Sequence, residues 1–113
     1  MINIDVTHDQ QQGWTLLMTG HAGTAPAGQD LVCCAASMLV YALAARLREL
    51  QTEGRARGVM IRLESGDAGA IASYTDGCRC ALDEAYRTVL AGLRLLEKKH
   101  PEAVQLHCDF CEK

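Results

Sequence analysis

Residues 31–50 run without a glycine or proline and are rich in alanine and leucine. No other stretch constrains the fold so much, because such a segment is a helix by propensity and must then be housed. Its first half is apolar almost all round, which predicts burial on several sides. Its last turns carry Arg46, Arg48 and Glu49, which should reach solvent. Asp30 is a good N-cap residue and places the helix start there. The preceding stretch, 20–29, holds three glycines, a proline and small residues and reads as a mobile loop.

The rest of the chain supplies a sheet for this helix to cover. Ile2, Ile4 and Val6 alternate with Asn3, Asp5 and Thr7, the period of a half-buried strand. A polar turn at 8–13 and a second strand at 14–19 complete a hairpin. Val59, Ile61 and Leu63 alternate with Met60, Arg62 and Glu64 as a third strand. A turn at 65–69 leads to a short fourth strand at 70–74. A second helix spans 78–99, with Leu82, Ala85, Tyr86, Val89, Leu90, Leu93 and Leu96 on one face. Pro101 blocks its continuation, and 104–108 reads as a final strand. The order ββαββαβ predicts an α+β two-layer sandwich, with two helices on one face of a largely antiparallel sheet. Residues 1–113 read as a single domain.

Hydrophobic residues make up 49% of the chain, enough for an ordinary core, while aromatics are 4%, so that core must be aliphatic and alanine-rich. The net charge of −3, without any basic run, argues against a nucleic-acid partner. No unbroken apolar run reaches the roughly 18 residues of a membrane helix, and the first residues lack the basic and apolar regions of a secretory signal. A cytoplasmic protein with no membrane partner is expected. In a reducing compartment, six cysteines suggest thiols, catalysis or metal before disulfides.

Cys33 follows Asp30 by three residues, which makes it N3 of the expected helix. There the helix dipole favours a thiolate, and first-turn amides without intrahelical partners could stabilise an oxyanion. The nearby Asp30 carboxylate opposes this. His21, flanked by Gly20 and Gly23, sits where a folding loop could carry an imidazole to the thiol. By spacing alone the pair is also compatible with a small buried thiol and an unrelated histidine. Cys34 is turned about 100° from Cys33, given ~3.6 residues per turn, and is expected to pack.

The segments Gly20-His21-Ala22-Gly23 and Gly28-Gln29-Asp30-Leu31-Val32-Cys33-Cys34-Ala35-Ala36-Ser37 resemble the ribosomal-processing cysteine protease family called Prp. That family shows Gly-His-Ala followed by Gly-x-Asp-[Ile/Leu]-Val-Cys-Ala-x-x-Ser at matching spacing. The resemblance implies a cytoplasmic, homodimeric cysteine endopeptidase without a cofactor. Its substrate would be the N-terminal extension of large-subunit ribosomal protein twenty-seven. By position, Cys33 is the nucleophile and His21 the base. Asp30 is helix cap and orienter, Ser37 a substrate contact, and Gly20 part of the motif. Cys34 stands where the family has alanine. The alternative is a non-catalytic, ribosome-associated binding module of the same fold.

Cys78, Cys80, Cys108 and Cys111 remain. A final strand returning antiparallel to the second helix could gather them into a zinc site, although Cys-x-Cys is an unusual half for one. Four thiols without a ligand is the preferred reading, so no metal is expected.

Overall fold

The computed structural model describes residues 1–20 and 27–109, with the side chains of 27–30 outside the description. The elements are β1 (Ile2–Asp9), β2 (Gly13–Thr19), α1 (Ala27–Thr52), β3 (Arg57–Glu64), β4 (Asp67–Ser73), α2 (Cys80–Lys99) and β5 (Val104–Asp109). The five strands form one sheet in the order β3-β4-β2-β1-β5. Neighbours are antiparallel except β1 and β5, which run parallel after the crossover through α2. This is the expected two-layer arrangement in the expected order.

Strand periodicity decides which face is covered. Ile2, Ile4 and Val6 of β1, Trp14, Leu16 and Met18 of β2, and Ala68, Ala70 and Ala72 of β4 are all buried beneath the helices. The alanines of β4 let α1 approach closely. From above, α1 contributes Val32, Ala36, Val40, Leu43, Leu47 and Leu50, while α2 contributes Leu82, Tyr86, Val89, Leu90 and Leu93. At about 25 cal/mol per Å² of apolar surface, each fully buried leucine stabilises by roughly 2 kcal/mol.

Four expectations about α1 and β1 change. First, β1 continues to Asp9, so His8 is a strand residue. The turn is tighter than expected because Asp9 Oδ1 accepts the amides of Gln11 at 2.8 Å and Gln12 at 2.9 Å. Second, α1 begins at Ala27, so Asp30 is its fourth residue and not its N-cap. Alanine is the best of helix formers, so a start at Ala27 costs nothing in propensity. Third, the first half of α1 is not buried all round: Leu31 is 71%, Met38 63% and Tyr41 47% exposed. One sheet face and one neighbouring helix cover only part of its circumference. Fourth, although no unbroken apolar run of that length exists, the segment Leu31–Thr52 holds an 18-residue stretch of mean hydropathy 1.6 and is long enough to cross a bilayer. In this fold one side of that segment packs on the sheet.

Candidate active site

A cleft of about 250 Å³ opens where the first half of α1 passes the sheet. Cys33, Ser37 and Tyr41 of α1 line it together with Gly20, with Ile2, Met18 and Ala68, and with Glu64 at the end of β3 and Ser65 and Gly66 of the β3–β4 turn. Cys33, Ser37 and Tyr41 are spaced i, i+4, i+8, so one helix face presents all three. Cys33 is half-buried. A thiol there is reachable by a peptide and partly screened from water.

Gly20 joins the walls. Its amide donates to the Gly66 carbonyl at 3.0 Å. Its φ is +93°, and a Cβ at this position would lie 2.3 Å from the Met1 carbonyl oxygen. Only glycine meets both demands, which gives the first residue of the Gly-His-Ala motif a physical reason.

Of the expected site residues, the structure brings Cys33, Ser37 and Gly20 into one cleft. His21 lies outside the described residues, as does the side chain of Asp30. Cys33 is the seventh helical residue, six positions beyond Ala27 and about 9 Å along the axis at 1.5 Å per residue. The dipole acts mainly within the first turn, and only the first four amides lack intrahelical partners. Cys33 is therefore not at N3, and the helix start does not supply the argument drawn from that position. Cys34 is exposed, not packed, because the core-facing row of α1 runs through Val32 and Ala36 and leaves residue 34 pointing away.

Tyr41, Glu64, Ser65 and Gly66 went unrecognised in the sequence. The i+8 spacing from Cys33 was a readable signal for Tyr41. Glu64, Ser65 and Gly66 enter through a turn that only the sheet order brings near.

The three described histidines do not line the cleft. His100 faces Glu102 at 3.7 Å, and His107 is exposed on β5. His8 belongs to a polar latch at the other end of β1, six residues from Ile2 or about 20 Å at ~3.3 Å per residue. There Asp83 Oδ1 accepts from Trp14 Nε1 at 2.9 Å and from the Tyr74 hydroxyl, and His8 Nε2 sits 2.7 Å from that hydroxyl. Burial, with Asp83 beside it, pushes the Tyr74 phenol up to about 12. Burial lowers the His8 imidazole below its ordinary value, outweighing the Asp83 carboxylate. The latch ties the start of α2 to the sheet.

The described cysteines outside α1 do not gather. Arg94 Nη2 contacts Cys108 Sγ at 3.7 Å, and Cys80 lies fourteen residues before Arg94, about 21 Å along α2. Among the described residues no group of three or more His, Cys, Asp or Glu is placed to hold a metal; Cys111 lies outside them. A larger hollow, about 370 Å³, sits on the uncovered sheet face around Leu17, Met60 and Ile71 and has no cysteine or histidine in its lining.

No curated protein matches the chain. Among solved structures, the S. aureus ribosomal processing protease Prp with a covalently linked product peptide superposes with a TM-score of 0.72 at 21% identity, covering 96% of this chain and 100% of that one. The same protease with a substrate peptide gives 0.68 at 23%, covering 96% and 100%. A Streptococcus mutans protein gives 0.64 at 22%, covering 96% and 93%. These likenesses establish the fold. The sequence model of the family described as cysteine protease Prp matches residues 1–105, and on that match the chain belongs to the Prp family of cysteine proteases.

Proposed function

We propose that this chain removes the N-terminal extension of large-subunit ribosomal protein twenty-seven, with Cys33 as nucleophile and His21 as general base. The observation that carries the reading is the placement of Cys33 in a cleft whose wall includes Gly20. His21 is the next residue in the sequence, and none of the other three histidines lines that cleft.

The Cys33 thiol gives its proton to the His21 imidazole, and the thiolate attacks the scissile carbonyl. The tetrahedral oxyanion collapses, the imidazolium protonates the leaving amine, and a thioester remains. Water, deprotonated by the imidazole, hydrolyses the thioester and regenerates the thiol. Ser37, one helical turn beyond Cys33, contacts the bound peptide, and Asp30 orients the imidazole. The enzyme works in the cytoplasm as a homodimer. The exposed Leu31 and Met38 on α1, 71% and 63% accessible, form an apolar stripe suited to a second copy.

The test is cleavage of the ribosomal protein's N-terminal peptide by the wild type, Cys33→Ala and Cys34→Ala. The expected result is loss of cleavage only in Cys33→Ala. Equal cleavage by all three overturns the assignment.

A further inference from the structure

Among the described residues no lysine or arginine side chain lines the cleft. No lysine or arginine occurs before Arg46, so all 11 lie beyond the residues that build β1, β2 and the cleft face of α1. Glu64 is the single acidic or basic side chain among the described lining residues. It is exposed and makes no ion pair among the described residues. The nearest cation on its strand, Arg62, is held by Asp67 at 2.9 Å. Tyr41, 47% exposed, lines the same cleft, and its ring face attracts cations.

We propose that Glu64 and Tyr41 form a specificity subsite for a lysine or arginine of the peptide substrate. Tyr41 lies eight residues beyond Cys33, about 12 Å along the helix. An extended peptide advances ~3.3 Å per residue, so the selected side chain lies three to four residues from the scissile bond. Its aliphatic stem lies on the Tyr41 ring and its cationic head meets the Glu64 carboxylate. This inference rests on the peptidase reading and adds the charge of the peptide that the site selects.

The test scans lysine, glutamine and glutamate through each of four positions on either side of the scissile bond, measuring kcat/KM with wild type and Glu64→Lys. An exposed ion pair supports up to about a fivefold preference. The expected result is that wild type prefers lysine over glutamine by about fivefold at one position three or four residues out. Glu64→Lys should then prefer glutamate at that same position, and both preferences should fade at high salt. Charge-blind cleavage by both enzymes overturns the proposal and leaves the peptidase reading standing. If no peptide is cleaved, or Cys33→Ala cleaves as well as wild type, the peptidase reading fails. Binding of the same peptides to Cys33→Ala and to Cys33→Ala/Glu64→Lys, read by fluorescence anisotropy, still decides the subsite. Equal affinity for lysine and glutamate peptides in both overturns it without any turnover.

Discussion

Replacing Gly20 with alanine tests how the cleft is held together. Two costs add. The backbone has φ +93°, where an L-residue other than glycine loses about 1–2 kcal/mol. The new Cβ would also lie 2.3 Å from the Met1 carbonyl oxygen, an overpacked contact that typically costs about 1–3 kcal/mol. Relief by moving residue 20 strains its bond to the Gly66 carbonyl, worth about 1 kcal/mol. Relief by moving β1 works against the anchor at Ile2, whose amide donates to Ala103 at 2.8 Å. Residue 1, which is exposed, is the cheapest part to shift, so the expected total is about 2–4 kcal/mol. Gly54→Ala is the control, because Gly54 has φ +77° and an added methyl group there would meet nothing within 4 Å; it isolates the backbone cost of about 1 kcal/mol. Urea denaturation followed by circular dichroism gives both values. Gly20→Ala should exceed Gly54→Ala by at least 1 kcal/mol and should lose kcat/KM at temperatures where it is fully folded. Equal destabilisation by the two substitutions refutes the close-approach argument.

Other outcomes follow from the packing and the polar latch. Leu47 is fully buried, so Leu47→Ala should lose about 2–5 kcal/mol. Leu95, 60% exposed, should lose under about 0.5 kcal/mol on the same change. His8 is held neutral by burial, its value below the ordinary 6.5. As pH falls through 6.5, the unfolded chain takes up this proton first, and stability drops until the lowered native value is passed. Denaturation midpoints between pH 7 and 5 should fall less steeply in His8→Gln than in wild type; identical slopes would remove His8 from the acid response.

Much of this architecture was legible because it follows from local periodicity. Alternation over Ile2 to Val6 and Val59 to Glu64 marks strands, and the Leu82–Leu93 face marks the helix that covers them. The paired Gly-His-Ala and Asp-Leu-Val-Cys segments point to a candidate site, since chemistry concentrated in two short motifs survives without three-dimensional information. What failed locally was the start of α1. Pro26, Ala27 and Gly28 send mixed signals, and Asp30 is as good a cap on paper as it is an ordinary first-turn acid. The N3 placement of Cys33 fell with that boundary.

The sequence by itself determined the element order, the inward faces and the identity of the candidate nucleophile, since each depends on neighbours a few residues apart. Only the tertiary structure decided that Cys34 points to solvent, that half of α1 is left uncovered, and that Cys78 and Cys80 stand far from Cys108. It alone brought the Glu64–Gly66 segment, some thirty residues away in the chain, into one cleft with Cys33 and Tyr41. Those facts depend on strand order, helix length and how much circumference one sheet can cover, and no local pattern of residues encodes such long-range distances.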